Sequence, residues 1–231
     1  MSLKEIINWI FPYKCIICGC EISENSIFCP KCFSELTFID YPFCNKCGKL
    51  LNSSYQNICE NCSRYKREFN LARALFQYDR YSANLIIKIK NQGDNYIAKS
   101  CAQRLVKKYN ELFSNADFIT PVPSHWSRII KRGYNPASII ALELSKTSGI
   151  TYKNLLVKTK RTGYQKKKNF KERLENVKDT FKCKENIHDK TIILVDDVFT
   201  TGSTLNSCSQ ALYKAGSKNI YCLTIATTKS T

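Results

Sequence analysis

The sequence contains no run of 18 or more apolar residues. A membrane-spanning helix needs about 20 consecutive apolar residues, so a membrane span is not expected. The first residues include the acid Glu5, and the apolar stretch near the start, residues 6–11, ends at Pro12. Because this stretch is short and lies beside an acid, we do not expect a secretory signal, and we expect a cytoplasmic protein.

Acidic residues are scarce, since 19 Asp and Glu stand against 36 Lys and Arg, which gives a net charge of +17. Residues 1–65 hold six basic and six acidic side chains, so the excess lies in residues 66–231. Such an excess favours polyanionic partners, either nucleic acid or a phosphorylated small molecule, or else forms a solvated face. A chain of 231 residues suits one medium-sized domain with a small accessory module, and we predict the boundary at residue 65.

Cysteine is abundant, and eight of the 13 cysteines form four Cys-x-x-Cys pairs. The pairs are Cys15/Cys18, Cys29/Cys32, Cys44/Cys47 and Cys59/Cys62. The two thiolates of such a pair face one ion, and a second pair completes a tetrahedral site. The pattern therefore predicts two structural zinc ions without an open coordination position. Thioredoxin-like redox chemistry is not favoured, because it normally uses one such motif at a strand–helix junction.

Two pairings of these motifs fit the spacing. Consecutive pairing leaves ten residues between Cys18 and Cys29 and eleven between Cys47 and Cys59. Short loops close at a lower entropic cost, which favours two zinc ribbons in tandem. A cross-braced arrangement, first pair with third and second with fourth, uses the same residues and stays open. Four thiolates leave each site with a charge of about −2, so the ribbons suit protein contacts better than phosphate binding.

Strand and helix patterns alternate after residue 65. We predict strands over 71–78, 117–122, 155–157, 191–195 and 220–226, and helices over 82–91, 96–113, 136–148 and from the turn at 200–204 through Gly216. This alternation indicates an α/β fold with a mostly parallel sheet flanked by helices. Ligands of such sheets bind beyond the carboxyl ends of the strands, so residues 195–204 form the expected site.

That segment combines two acids with a hydroxyl-rich turn. The candidate residues are Asp196, Asp197, Thr200, Thr201, Gly202, Ser203 and Thr204. Glycine lets the backbone approach a ligand, and amides at the start of the following helix, together with the hydroxyls, suit a phosphate. The two carboxylates suit sugar hydroxyls or a divalent ion.

Residues 192–205, Ile-Ile-Leu-Val-Asp-Asp-Val-Phe-Thr-Thr-Gly-Ser-Thr-Leu, resemble the fingerprint of type I phosphoribosyltransferases. In that family the fingerprint binds 5-phosphoribosyl-1-pyrophosphate. The acids bind the ribose 2′- and 3′-hydroxyls, and the turn binds the 5′-phosphate. The resemblance implies the same ligand here, together with a magnesium ion that neutralises the pyrophosphate.

Two further segments match this family in order. The first is similar to the pyrophosphate-side loop of the amidotransferase branch and contains Pro121, Val122, Pro123, Arg128, Arg132, Gly133, Tyr134 and Asn135. The second is similar to the loop that closes over the activated sugar, and it implies catalytic roles for Arg161 and Arg173. Two departures are Pro136, where glutamine is common, and the basic triplet Lys166, Lys167 and Lys168. Trp126 and Tyr134 are candidates for base stacking or for core packing.

Together with the cysteine-rich N terminus, these segments resemble the ComF family of competence-associated proteins over essentially the whole chain. The resemblance implies a protein that binds phosphoribosyl pyrophosphate and single-stranded DNA, with the triplet at 166–168 on DNA and the ribbons on DNA-uptake proteins. Two alternatives stay open: an active phosphoribosyltransferase of nucleotide or cofactor metabolism, and a non-catalytic sensor of sugar phosphates. Position 2 is Ser2 and no glutaminase domain is present, so glutamine-dependent amidotransfer is not expected.

Overall fold

A computed structural model describes residues 6, 9, 10, 12–23, 26–159 and 180–229. Its strands are β1 (Leu71–Gln77), β2 (Phe118–Pro121), β3 (Thr151–Tyr152), β4 (Leu156–Lys158), β5 (Phe181–Cys183), β6 (Thr191–Phe199) and β7 (Asn219–Thr227). A five-stranded sheet has the order β1-β7-β6-β2-β3, and all of its neighbours are parallel. The remaining pair, β4 and β5, is antiparallel. The prediction of a mostly parallel α/β sheet is confirmed.

Helices flank this sheet. They are α1 (Pro30–Ser34), α2 (Glu60–Arg64), α3 (Arg80–Gln92), α4 (Asn95–Lys108), α5 (Asn110–Ser114), α6 (Trp126–Arg132), α7 (Pro136–Ser148) and α8 (Ser203–Lys214). Pro136 occupies the first turn of α7, where a missing N–H is tolerated. The helix predicted over 96–113 is divided at Tyr109, whose backbone leaves the helical region and whose hydroxyl donates to the Ala74 carbonyl (2.8 Å). None of the described helices is long and apolar enough to cross a bilayer.

The core lies on both faces of the sheet, as the alternation along β6 requires. Ile193 and Val195 pack with apolar residues of α3, α4 and α7. Ile192 and Leu194 pack with α8 and with Cys44, Cys47 and Cys59. Because both faces of β6 are covered, its first half is a continuous apolar run.

The strand predicted over 191–195 is longer in the structure. β7 extends to Thr227, and the ladder continues through the pairs Asp196–Thr224 and Phe199–Thr227. The two aspartates therefore lie inside the last part of β6, and the expectation that they follow the strand was wrong.

The cysteine-rich residues cover the edge of the sheet. We call residues 12–36 the first ribbon and residues 41–67 the second ribbon. Between them, the Thr37 carbonyl accepts from the Gln77 N–H (2.8 Å), while the Ala72 N–H donates to the Lys46 carbonyl of the second ribbon (2.8 Å). An open edge strand is a template for unwanted pairing, and these contacts close the edge at β1. The domain boundary at residue 65 stays a prediction.

Candidate functional site

The two aspartates of β6 have different surroundings. Asp197 forms an ion pair with Lys90 of α3, with 2.9 Å between Oδ1 and Nζ. Asp196 accepts a hydrogen bond from the Asp197 N–H (2.9 Å). Burial and the neighbouring Asp197 charge together raise the pKa of Asp196 to about 8, against the opposing effects of the Asp197 N–H, Lys90 and Arg128. Asp196 thus binds a proton more readily than an exposed aspartate does, whereas Asp197 faces the charge of Lys90.

The turn after β6 requires glycine at position 202. The backbone of Gly202 has a φ of +75°, and a β-carbon there would lie 2.4 Å from the Phe199 ring. Helix α8 begins at the next residue without a side-chain cap from Gly202. The hydroxyls of Thr201 and Ser203 lie 3.0 Å apart at this helix start. The geometry is that of an anion-binding turn, with a helix N-terminus and hydroxyl donors on one side.

The segment after β2 is held in place by Asn135. Its Nδ2 donates to the Val122 carbonyl (2.9 Å), and its Oδ1 accepts from the Ser124 hydroxyl (2.8 Å). The residues that follow form α6, a helix that the sequence patterns did not predict. His125 caps this helix, because its Nδ1 accepts from the Ser127 N–H (3.2 Å). The cap therefore sets where α6 begins.

These segments meet in one cleft of about 840 Å³. Its lining includes Val122, Pro123, Asn135, Asp196, Asp197 and Thr204 together with the basic residues Lys90, Arg128, Lys131, Arg132 and Lys158. Burial lowers the pKa of Lys158, and the charge of Arg128 lowers it further. The cleft therefore brings together two carboxylates, Thr204 at the end of the hydroxyl-rich turn, and a group of cations.

The site residues predicted from the sequence divide into three groups. Thr200, Thr201, Gly202 and Ser203 form the turn at the start of α8 and are not part of the lining of the cleft. The structure brings the β6 aspartates, Thr204, Val122, Pro123, Arg128 and Arg132 into the lining of the cleft, with Pro121 at the end of β2. Arg161, Arg173, Lys166, Lys167 and Lys168 lie outside the described residues.

Three cleft cations were missed by the motifs, namely Lys90, Lys131 and Lys158. Lys90 lies on a helix distant in sequence from every motif. The burial of Leu85, Ile86 and Ile89 fixes the orientation of this helix, so that Lys90, one turn after Ile86, reaches Asp197. Tyr134 bonds to this same helix, because its hydroxyl donates to the Ile89 carbonyl (3.1 Å). Tyr134 thus has a packing role, whereas Trp126 is 61% exposed.

The cysteine pairs form two tetrads by consecutive pairing. The tetrads are Cys15/Cys18/Cys29/Cys32 and Cys44/Cys47/Cys59/Cys62, and within each the sulfurs lie within 4.8 Å of one another. Sulfurs around a tetrahedral zinc are about 3.8 Å apart. The Cys18–Cys29 and Cys47–Cys59 sulfur distances of 3.7 and 3.6 Å match that spacing. Both tetrads fit a structural zinc ion, the consecutive pairing is confirmed, and the cross-braced alternative is excluded.

Two family models match the chain. Residues 6–63 match the double zinc ribbon domain, and residues 97–231 match the phosphoribosyl transferase domain. The tetrads and the parallel sheet agree with both models. They define a phosphoribosyltransferase-like α/β protein with an N-terminal double zinc ribbon.

Several curated relatives share this whole arrangement. Competence protein F of Haemophilus influenzae is 31% identical over 222 residues, which cover 91% of this chain and 95% of the relative. The chain belongs to the family of competence protein F and ComFC. Competence protein ComFC of Streptococcus pneumoniae is 27% identical, with 90% and 96% covered. The DNA utilization protein YhgH of Escherichia coli K12 is 24% identical, with 92% and 96% covered.

Solved structures show a more distant likeness. The allosteric regulatory enzyme of purine biosynthesis is 19% identical with a TM-score of 0.38, and the match covers 55% of this chain and 25% of that one. A purine phosphoribosyltransferase from Pyrococcus horikoshii is 23% identical with a TM-score of 0.33, and the match covers 56% and 70%.

Proposed function

We propose that the cleft binds 5-phosphoribosyl-1-pyrophosphate with a magnesium ion. The observation that carries this proposal is the convergence of three ligand-binding features in one cleft of about 840 Å³. The carboxylates of Asp196 and Asp197 accept from the ribose hydroxyls, and the turn at 200–204 donates to the 5′-phosphate. Arg128 and Arg132 are placed to bind pyrophosphate oxygens, and magnesium supplies neutralising charge there.

The cation group supports a ligand with charge at both ends. A sugar phosphate alone needs only the turn and the acids, whereas Arg128, Lys131, Arg132 and Lys158 add further positive charge to the cleft. Burial of Lys158 beside Arg128 disfavours its own charge, and a bound pyrophosphate reverses that effect by pairing with it. The site thus favours an activated ribose over ribose 5-phosphate.

Titration calorimetry tests this function with the full, zinc-loaded chain. We expect phosphoribosyl pyrophosphate with magnesium to bind, and ribose 5-phosphate to bind more weakly by about tenfold or more, because it lacks charge-assisted bonds to the arginines. Arg128→Gln should reduce this difference in affinity between the two ligands, because it removes a cation proposed to bind the pyrophosphate. Asp189→Asn is the matched control, since Asp189 lies in the turn before β6, away from the cleft, and pairs with Lys218. Equal affinity for both ligands, or no uptake of either, contradicts the proposal.

We further propose that α6 contributes to binding of single-stranded DNA. Trp126 is 61% exposed and Ile130 is 75% exposed on this helix, which also carries Arg128, Lys131 and Arg132. An exposed aromatic ring beside several cations is the combination that stacks a base while neutralising phosphates. Lys166, Lys167 and Lys168 remain predicted DNA contacts.

Fluorescence anisotropy with a short oligonucleotide at several salt concentrations tests the DNA surface. Trp126→Ala should weaken binding by about tenfold, as the loss of one stacked base does. Lys131→Ala should reduce the salt slope by about 0.7, the value for one phosphate contact on a single strand. Lys218→Ala is the control with the same charge change, on the loop between α8 and β7. Salt-independent binding, or equal effects of the two lysine variants, argues against α6 as the surface.

One assay distinguishes the two alternative functions, an active phosphoribosyltransferase and a non-catalytic sensor of sugar phosphates. An active transferase expels pyrophosphate from the anomeric carbon when a nucleobase or amine attacks, and the protein would assist by position and charge. Release of pyrophosphate with any acceptor of a broad panel favours that alternative. Binding without release favours a sensor or DNA-handling role. Cytoplasmic location and contacts of the ribbons with DNA-uptake proteins stay predictions.

A further inference from the structure

The two cysteine tetrads have different surroundings. In the first, Cys18 is exposed, and the other three cysteines pack in a small separate cluster with Ile17 and Ile22. The second tetrad packs into the core of the sheet, in one cluster with Leu194, Phe199 and Leu205. We call residues 200–204 the phosphate turn. The second tetrad therefore shares one apolar cluster with Phe199 and Leu205, the residues on either side of this turn.

Two buried cations lie beside the second tetrad. Lys49 and Arg67 are each only 6% exposed. The Lys49 carbonyl accepts from the Cys44 N–H (2.8 Å), which fixes Lys49 against the tetrad. The Arg67 guanidinium lies beside the Cys62 sulfur. A zinc ion with four thiolates carries a charge of about −2, so a buried site of this kind holds buried cations in place.

The same two cations hold the turn that follows β6. The Nη1 of Arg67 donates to the Thr201 carbonyl (2.9 Å). The Nζ of Lys49 donates to the Thr228 hydroxyl (3.0 Å), and that hydroxyl donates to the Thr200 carbonyl (3.2 Å). Each cation thus links the metal site to one carbonyl of the turn.

The ring of Phe199 contacts both Lys49 and the turn. Lys49 lies over the Phe199 ring, 6.0 Å from its centroid. That ring is the one that leaves no space for a β-carbon at position 202. The backbone of the turn is therefore held from below by groups whose own positions depend on the second metal site.

We propose that the second zinc centre positions the phosphate turn through Arg67 and Lys49. Zinc in this tetrad then sets the affinity of the cleft for the phosphate end of its ligand and leaves the pyrophosphate end unaffected. Arg67 and Lys49 are positioning residues, since their contacts are to the turn and to the tetrad. This inference rests on the proposed function and adds a dependence on metal to it.

The test compares two ligands in the full chain by calorimetry, namely ribose 5-phosphate and magnesium pyrophosphate. Arg67→Met should lower the affinity for ribose 5-phosphate about tenfold, the effect of losing one charged hydrogen bond that orders the turn. The affinity for magnesium pyrophosphate should stay within about twofold. Arg67→Lys should recover part of the loss, because it keeps the charge beside the thiolates.

A second pair of variants separates positioning from folding. Cys62→Ser should reduce the zinc content from two ions to one and reproduce the selective loss of ribose 5-phosphate affinity. Arg64→Ala removes an exposed cation of the same ribbon, paired with Glu60, and should change neither affinity. If wild-type protein binds neither phosphoribosyl pyrophosphate nor ribose 5-phosphate, the proposed function fails. If wild-type protein binds and Arg67→Met weakens both ligands equally or neither, only the zinc coupling is overturned.

Discussion

Gly202→Ala is expected to reduce the affinity for phosphoribosyl pyrophosphate by about 100-fold, because the turn loses several charge-assisted hydrogen bonds at once. The added β-carbon would lie 2.4 Å from one carbon of the Phe199 ring and 2.8 Å from another. Phe199 is buried beneath Lys49 and cannot yield without moving the core. The backbone of the turn must move instead, and the amides at the start of α8 move with it.

The matched control is Gly149→Ala. Gly149 has a φ of +78°, close to the +75° of Gly202, but a β-carbon there meets nothing within 4 Å. Both variants are therefore destabilised by the same left-handed backbone strain, about 1–2 kcal/mol, and only Gly202→Ala adds a steric clash. Calorimetry and thermal melts check this pair. Equal losses of ligand affinity in the two variants would show that the ring contact does not hold the turn.

Asp196→Asn should weaken phosphoribosyl pyrophosphate binding by about 10- to 100-fold and, at the same time, stabilise the protein. The amide keeps an oxygen that accepts from the Asp197 N–H, so the local geometry is retained. The amide cannot ionise, so the carboxylate acceptor that we propose for the ribose hydroxyls cannot form. The buried charge that Asp197 repels is lost as well, which removes a destabilising interaction from the folded state.

The pKa of Asp196 determines how the stability difference between Asp196→Asn and wild type depends on pH. Burial and Asp197 raise the pKa of Asp196 from 3.8 to about 8, so between these values the folded protein keeps a proton that the unfolded chain has released. The contribution of Asp196 to stability is therefore full below pH 4 and is lost as the pH rises through 8. At pH 8 we expect Asp196→Asn to melt about 5 °C above wild type, with a smaller difference at pH 5.

Asp117→Asn provides a control of opposite sign. The Thr191 N–H and Lys190 hold the pKa of Asp117 below its usual value, so its stabilisation is present at neutral pH and lost in acid. That variant should lower the melting temperature at pH 8. It should leave the cleft unaffected, because Asp117 pairs with Lys190 at the amino-terminal end of β6. A melting temperature of Asp196→Asn below wild type at pH 8 contradicts the raised pKa.

Local sequence patterns predicted most of the long helices and strands. Apolar runs bounded by turns predicted β1, β6 and β7, and Pro136 marked the start of α7, because helix starts and strand periodicity depend on neighbours in sequence. The end of β6 was misjudged, since its length depends on β7, a partner some 30 residues away along the chain. Helix α6 was missed for a related reason, since its cap is a histidine and it has no buried residues to set a period.

The sequence by itself predicted the two cysteine tetrads, the aspartate pair and the turn at 200–204, because each is a short motif whose chemistry lies in its own spacing. The tertiary structure decided which charges meet these motifs. Lys90 reaches Asp197 only because α3 packs its apolar side on the sheet. The second tetrad reaches the phosphate turn only because its ribbon closes the edge at β1 and shares the core of β6. Contacts between distant segments depend on packing in three dimensions, and no local pattern encodes them.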